Sequence, residues 1–289
     1  MQPMPTRDVV VTPDGRRLAS ISLGEGPRLV VCEAGLGMSA HYWIPVMRHL
    51  APHCRVVAYN RAGIGDSDPD PATRKLQRLA NDLACVVKAQ SYESVVLVGH
   101  SWGGPIVRTA QGMSAGRIER VAGLVLVDPS DEHLLDKFRP LSLALQRLSL
   151  VSLARLRLLS AMYTPILRGL PPDVMTRVLQ DSTTVSAARA AAAELRSLRT
   201  GLAQLATDDQ HYGSPVTVIS GAQAMVGESE KMRAAIRKAH HLSAARTASA
   251  QLIVARDSGH AIPITEPEVV ARAALALFDR DHFAADLNR

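Results

Sequence analysis

Ser101 stands in a run of residues whose types and spacing suit nucleophilic catalysis. The segment "VVLVGHSWGGPIVRTA" (residues 95–110) passes from an apolar strand-like run, through Gly99 and Gly103, into an amphipathic segment. A serine on a sharp strand-to-helix turn needs neighbours without a Cβ, and the turn exposes its hydroxyl and the next amide, here that of Trp102. An amide at a helix N-terminus can stabilise an oxyanion. The segment therefore predicts a nucleophile elbow with Ser101 as the nucleophile.

His260 has the placement expected of the base that such a serine requires. A serine hydroxyl is a weak nucleophile until an adjacent base, itself oriented by an acid, removes its proton. In "LIVARDSGHAIPITEPEVV" a strand-like run and a loop precede His260, which places it at the same sheet edge as Ser101. His41 and His133 are predicted at most to line the pocket. Surface or helix-end positions are predicted for the other histidines considered, which are His49, His53, His211, His240 and His241.

A second amide donor is predicted in the turn that follows another strand-like run. In "VVCEAGLGMSAHYW" the residues 34–37 form a flexible turn that can direct the amide of Leu36 into the site. Leu36 and Trp102 are thus the predicted oxyanion donors. We also expect Gly35, His100 and His133 to border the substrate pocket.

Composition argues against several classes of protein, namely nucleic-acid-binding, metal-dependent and membrane-inserted proteins. The chain has 289 residues and a formal net charge of +6, but its arginines are scattered and form no basic run, which argues against a nucleic-acid partner. No His/Cys cluster has the spacing of metal ligands, so neither metal nor cofactor is predicted. Three widely separated cysteines indicate a reducing compartment. Without an apolar leader or a long apolar run, the chain is expected to be cytoplasmic, without stable membrane insertion.

Eight strand-like runs alternate with helix-like segments, which predicts an α/β fold. Helix-like segments around 42–51, 73–89, 102–114, 228–240 and 265–280 separate short apolar strands, as in a mostly parallel sheet with helices on both faces. The runs are "DVVVT", "RRLASISLG", "RLVVCEA", "CRVVAYN", "SVVLVG", "VAGLVLVD", "PVTVISG" and "AQLIVAR".

An inserted segment interrupts this alternation. Residues 131–213 are rich in Leu, Ala and Arg and nearly free of strand signals, so we predict a helical cap between core parts 1–130 and 214–289. The Leu/Arg pattern has two interpretations. We favour a cap that packs its leucines on the body with arginines outward, and the alternative is an interfacial helix that contacts lipid.

Five ordered segments resemble α/β-hydrolase fold proteins of the capped, esterase-like kind. They are "EAGLGMSAHYWIPVMRHL", "RVVAYNRAGIGDSD", "VVLVGHSWGGPIV", "GLVLVDPSDE" and "SGHAIPITEPEVV". The resemblance implies Ser101 as nucleophile, His260 as base, and Leu36 and Trp102 as oxyanion donors. Family members often carry His-Gly where this chain has Ala34-Gly35, which removes a side chain and keeps the backbone donor. The segment "NRAGIGDSD" is interpreted as a loop that braces the neighbouring turn.

The acid departs from the more common family pattern. Many relatives place an Asp after the strand "PVTVISG", where this chain has Ala224 and no carboxylate before Glu228. Some relatives, haloalkane dehalogenases among them, carry the acid at the end of the strand before the cap, which matches Asp128. We therefore predict Asp128, with Glu228 as the alternative and Asp131 or Glu132 behind it.

These observations predict a cofactor-free serine hydrolase that acts on a carboxylic ester, thioester or lactone with a hydrophobic acyl or ring group. Three alternatives stay open: cleavage of a carbon–carbon bond, cleavage of an amide, and a ligand-binding pseudo-hydrolase with little turnover. Carboxylates that could hold the amine of a peptide in the cap are Asp173, Glu194, Asp208 and Asp209. The expected partner is a small hydrophobic molecule, and the oligomeric state is not predicted.

Overall fold

The computed structural model describes residues 5–112, 118–207, 213–225, 227–246 and 250–286, with side chains to residue 279. His211, Asp208 and Asp209 therefore lie outside the described residues. None of the helices in the described ranges is both long enough and apolar enough to cross a bilayer.

One eight-stranded sheet organises the chain in the order β1-β2-β4-β3-β5-β6-β7-β8. The first hairpin and the β2–β4 pair are antiparallel, and all later pairs are parallel, which confirms the predicted mostly parallel sheet. The strands are β1 Thr6–Val11, β2 Arg17–Leu23, β3 Arg28–Glu33, β4 Arg55–Tyr59, β5 Ser94–His100, β6 Val121–Val127, β7 Val216–Gly221 and β8 Gln251–Ala255.

Helices cover both faces of this sheet. Successive side chains of a strand point to opposite faces, so the unbroken burial of 95–100 in β5 requires cover on both. Helix α1 packs on α10, and α2 packs on α3. The helices are α1 Ile44–Leu50, α2 Leu76–Lys88, α3 Gly103–Gly112, α4 Pro140–Arg155, α5 Leu159–Tyr163, α6 Pro172–Ser182, α7 Val185–Thr207, α8 Glu230–Ala245, α9 Ile262–Thr265 and α10 Pro267–Asp286.

Helices α4 to α7 lie between β6 and β7 in the chain, inside the interval 131–213 that the sequence assigns to a cap. They meet the core at the carboxyl ends of the strands. A Cβ at Gly37, in the turn after β3, would lie 3.0 Å from the hydroxyl of Tyr163 in α5. Likewise, a Cβ at Gly201 in α7 would lie 3.3 Å from the ring of Trp102. The division into domains stays a prediction, while the helical insertion itself is observed.

Candidate active site

The turn between β5 and α3 carries Ser101 in a backbone conformation that L-residues rarely adopt. Its φ is +53°. A Cβ at Gly99 would overlap the carbonyl oxygen of Gly103, and a Cβ at Gly103 would overlap that of Glu33. Strand and helix can therefore approach this closely only with glycine at both positions, which is the steric reason for the pattern around the serine.

The turn after β3 lies directly against this serine. A Cβ at Gly35 would lie 3.2 Å from Cβ of Ser101 and 3.1 Å from Nδ1 of His100. The amide nitrogens of Leu36 and Trp102 donate no hydrogen bond to another residue of the described ranges. Trp102 also immediately precedes α3, whose N-terminus favours negative charge. The two amides predicted as oxyanion donors are thus without a hydrogen-bond acceptor in the described ranges, as donors kept for a substrate would be.

His260 and Asp128 form a close pair at the carboxyl edge of the sheet. Nδ1 of His260 lies 2.7 Å from Oδ2 of Asp128. Asp128 follows β6 with a φ of +40°, so it is a second strained position beside the site. A carboxylate only accepts hydrogen bonds, so Nδ1 carries the proton and Nε2 is the basic nitrogen. This is the tautomer that a general base next to a serine requires.

Asp128 is almost fully buried and has several further partners. Its Oδ1 accepts a hydrogen bond from the amide of Gly221 at 3.0 Å and one from Nη1 of Arg233 at 2.9 Å. Burial acts to raise the pKa of Asp128, but the hydrogen bond and charge of His260, with the charges of His240 and Arg233, hold it below its ordinary value. The group is therefore a carboxylate at neutral pH.

Glu228, the alternative acid, is bound to Arg233. Nε and Nη2 of Arg233 each donate to Glu228 at 3.0 Å. The other two candidates also have partners away from His260. Asp131 accepts from Ser243 and lies 2.8 Å from Nδ1 of His133. Glu132 accepts a two-pronged hydrogen bond from Arg108 and a further one from Arg246. Of the four carboxylates considered, Asp128 is the one in contact with His260.

Asp131, Glu132 and His133 also form a group whose ligand atoms lie within 4.8 Å of one another. Both carboxylates already bind cationic or hydroxyl groups of the protein, so nothing in the group calls for a metal ion.

A cavity of about 470 Å³ borders the three residues predicted to form the triad. Ser101, His260 and Asp128 lie in its wall together with six apolar side chains and a few polar ones. The apolar members are Pro129, Leu134, Phe138, Ile166, Met225 and Ile236. Leu134, Phe138 and Ile166 come from the inserted segment, so this segment shapes the volume beside Ser101.

The residues predicted to border the pocket lie outside this lining. Gly35 packs against Ser101, and His133 is held by Asp131 and Ser243 near α8. His100 is buried behind His260, with ring centres 4.7 Å apart, and its Nε2 donates to the carbonyl of His260 at 2.8 Å. His100 therefore supports the loop that carries His260 and is not among the residues that line the cavity.

Burial also decides the charge of His100. Burial lowers its pKa to about 3, the neighbouring His260 acts in the same direction, and the hydrogen bond to the His260 carbonyl opposes them. A neutral ring beside the base adds no competing positive charge.

Arg61, in the loop "NRAGIGDSD", braces the turn that carries Leu36. It is fully buried and donates to the carbonyls of Ala34 at 2.6 Å and Gly35 at 2.8 Å. Its other partners are Glu33 at 2.6 Å and Glu194 of α7 at 3.0 Å. The structural role predicted for this loop is confirmed. Glu194 is thus neutralised by Arg61 and Arg74 and is not free to hold a substrate amine.

One prediction for a histidine needs correction. His240 was expected at the surface, but it is fully buried, with Nδ1 2.8 Å from Oγ of Ser220 and Nε2 2.9 Å from the carbonyl of Pro129. His41 pairs with Asp181 at 3.0 Å and borders a separate cavity beside β1 and β2. Arg233 and His240 are seven residues apart on α8 and so share its buried side, but two polar residues at that spacing do not mark a buried side from the sequence alone.

Comparison with known proteins fits this geometry. The family model described as "Alpha/beta hydrolase family" matches residues 29–273, well over half of the chain. The chain belongs to the alpha/beta hydrolase family. The predicted fold class is confirmed, since the family's sheet and helices are those described above.

Individual relatives of this alpha/beta hydrolase are more distant. A protein named putative carbamate hydrolase RutD, from Azorhizobium caulinodans, is 32% identical over 99 residues, covering 34% of this chain and 36% of the relative. The chain therefore spans about a third of the length of that curated relative. A thermophilic esterase from Thermogutta terrifontis, bound to malate, is 22% identical with a TM-score of 0.69, covering 95% of this chain and 98% of the esterase.

A putative aryl esterase from Burkholderia cenocepacia is 23% identical with the same TM-score of 0.69, and the match covers 96% of this chain and 100% of the other. At such identities the structural likeness shows the fold alone.

Proposed function

We propose that this protein is a cofactor-free serine hydrolase in which Ser101 is the nucleophile, His260 the base and Asp128 the acid. The single observation that carries the proposal is the contact of 2.7 Å between His260 and Asp128 in the wall of the cavity that also holds Ser101. A base whose other nitrogen is fixed by a carboxylate, beside a serine on a strained turn, suits acyl transfer.

The proposed reaction has two halves. Oγ of Ser101 attacks the substrate carbonyl, Nε2 of His260 takes the hydroxyl proton, and the amides of Leu36 and Trp102 stabilise the oxyanion. The tetrahedral intermediate then expels the alcohol or thiol, which leaves with the proton from His260, and an acyl-enzyme remains. Water, deprotonated by His260, attacks this ester and releases the acid and the free serine.

The cavity favours a carboxylic ester, thioester or lactone with an apolar acyl or ring group. Its lining is mostly apolar, and its charged members other than Asp128 are the mutually paired Arg233 and Glu228. A charged acyl group would find no free counter-ion among the described lining residues. The RutD relative adds carbamates to the substrates worth testing, because a carbamate carbonyl can be attacked in the same way. We further propose a cytoplasmic location, since Cys32, Cys54 and Cys85 are free.

The test is the intact mass of the wild type and of Ser101→Ala after exposure to a fluorophosphonate, which adds covalently to an activated serine. We expect one adduct on the wild type and none on the variant, with ester turnover lost in the variant. An adduct on both proteins would place the reactive group elsewhere. If neither protein forms an adduct, and Ser101→Ala binds its ligand as tightly as the wild type does, the proposal is wrong. The protein would then be a ligand-binding pseudo-hydrolase.

A further inference from the structure

Helix α4 is apolar on two opposite sides, and one of them has no partner in the described part of the chain. Leu143, Leu150 and Ala154 are buried on the side that packs toward α7. Leu141, Leu145 and Leu148 follow one another at helical spacing on the other side and are 73%, 57% and 66% exposed. An amphipathic helix of a globular protein ordinarily turns polar residues outward at such positions.

Exposed apolar residues continue along the chain beyond α4. Leu156 and Leu158 connect α4 to α5 and are 67% and 52% exposed, and Met162 of α5 is 41% exposed. We call these six residues the leucine face: Leu141, Leu145, Leu148, Leu156, Leu158 and Met162. Six of the ten large apolar side chains that are exposed in the described residues thus come from one stretch of 22 positions. Scattered exposed leucines are normal, but a concentration of this kind marks an interaction surface.

The segment that carries the leucine face is rich in cations, and the acidic residues that flank it are Asp136, which pairs with Lys137 at 2.6 Å, and Asp173. Residues 137–172 contain six cations and no Asp or Glu, although the whole chain has 27 acidic residues. The cations are Lys137, Arg139, Arg147, Arg155, Arg157 and Arg168. Arg139, Arg155 and Arg168 are exposed, and along the chain they lie two, one and six residues from the nearest member of the leucine face.

We infer that the leucine face binds the surface of an anionic lipid bilayer. An apolar helical face with Arg or Lys beside it lies in the headgroup region, where apolar area is buried and the cations meet anionic lipids. The alternative occupant, a second copy of this chain, would bring two sets of five cations together, since Lys137 pairs with Asp136, with no Asp or Glu inside residues 137–172 to neutralise them. Charge therefore favours the lipid surface over self-association.

The leucine face adjoins the cavity along the chain. Phe138, which lines the cavity, comes two residues before α4, and Ile166, another lining residue, comes three residues after α5. A bilayer at the leucine face would thus contact the two helices that connect these lining residues. The inference itself does not depend on the proposed reaction.

The experiment is flotation with vesicles of phosphatidylcholine containing about 30% phosphatidylglycerol, compared with pure phosphatidylcholine. We expect the wild type and Ser101→Ala to float equally with the anionic vesicles, and less with the neutral ones or in high salt. Leu141→Ser/Leu145→Ser/Leu148→Ser should lose about tenfold or more in partitioning. Arg139→Gln/Arg155→Gln/Arg168→Gln should lose a similar factor at low salt.

Matched controls carry the same changes elsewhere on the surface. Val9→Ser/Val11→Ser/Leu242→Ser removes exposed apolar groups, and Lys231→Gln/Arg237→Gln/Lys238→Gln removes exposed cations of α8. Both controls should float like the wild type. The inference is overturned if the wild type does not float, or if the controls lose as much as the test variants. It is also overturned if sedimentation shows a dimer that the leucine variant abolishes while flotation is absent.

Discussion

Two buried arginines flank the candidate site, and they bind different chemical groups. Arg61 donates to the carbonyls of Ala34 and Gly35 and is balanced by Glu33 and Glu194. Arg233 donates to the two oxygens of Asp128, one of which also contacts His260, and is balanced further by Glu228. Arg61 thus donates hydrogen bonds to backbone carbonyls, whereas Arg233 donates hydrogen bonds to the side chain of the proposed acid.

The difference assigns distinct physical roles to the two charges. Around Arg61 two glutamates neutralise the cation, so what remains is the geometry it imposes on the turn bearing Leu36. Arg233 shares the carboxylate with His260 and so weakens the attraction of that carboxylate for a protonated imidazole. We therefore expect changes at Arg61 to alter the turnover rate at every pH. Changes at Arg233 should instead shift the acid limb of the pH–rate profile.

The largest effect is expected at the residue that both His260 and Arg233 contact. Asp128→Asn removes the charge that fixes the tautomer of His260 and stabilises its protonated form, so turnover of a short ester should fall by about 10²-fold or more. Glu228→Gln is the matched control, because it touches Arg233 and not His260, and it should cost less than about tenfold. An unchanged rate in Asp128→Asn together with a large loss in Glu228→Gln would make Glu228 the acid.

The eight strands could be predicted from the sequence because each is a short, nearly continuous apolar run. Such runs are typical of parallel strands buried on both faces. The elbow at Ser101 could be predicted because glycine spacing reports a close backbone approach directly. Asp128 could be predicted as the acid because it directly follows a strand. Glu228 stayed an alternative because either carboxylate could reach the same edge of the sheet.

The surroundings of Asp128 could not be predicted in the same way. Arg233 and His240 sit on α8, and which face of a helix is buried depends on what it packs against. His100 and His133 are absent from the cavity lining for a similar reason, since a residue's position in the chain does not fix the direction of its side chain. The leucines of α4 recur on both sides of the helix, so periodicity alone could not separate the buried set from the exposed one.

A smaller effect on rate is expected at Arg61. Arg61→Lys keeps the charge between Glu33 and Glu194 but cannot span both carbonyls of the turn, so kcat should fall about tenfold, and KM should change less. Arg74→Lys is the matched control, because Arg74 binds the same Glu194 at 2.8 Å and no carbonyl of the turn. Steady-state kinetics of both variants make the comparison. Equal losses of kcat in the two would mean that the ion pairs with α7 matter and the bracing of the turn does not.

The smallest effect is expected at Arg233 and is a displacement of the pH profile. In the wild type, burial acts to lower the pKa of Arg233, but Asp128 and Glu228 raise it above its ordinary value, so the cation persists. Arg233→Met removes a positive charge beside the acid. With that charge gone, the carboxylate of Asp128 attracts a positive charge on its partner side chain more strongly, so we expect the acid limb of kcat/KM to move to higher pH by a few tenths of a unit or more.

Stability in acid separates this effect from simple loss of folding. Asp128 has a folded pKa below its ordinary value, so it stabilises the fold above about pH 4, and this contribution is lost as pH falls toward the folded pKa. Arg233→Met should raise the folded pKa of Asp128. The pH range between the folded and the ordinary pKa of this carboxyl, over which its stabilising contribution is lost, should then become narrower. Arg233→Lys keeps the charge and should keep the acid limb, and Arg237→Met, on the exposed side of α8, should leave both properties unchanged. If the acid limb does not move in Arg233→Met while the protein remains folded, the charge of Arg233 does not affect His260. Arg233 would then have the same role as Arg61, which is to position its neighbours.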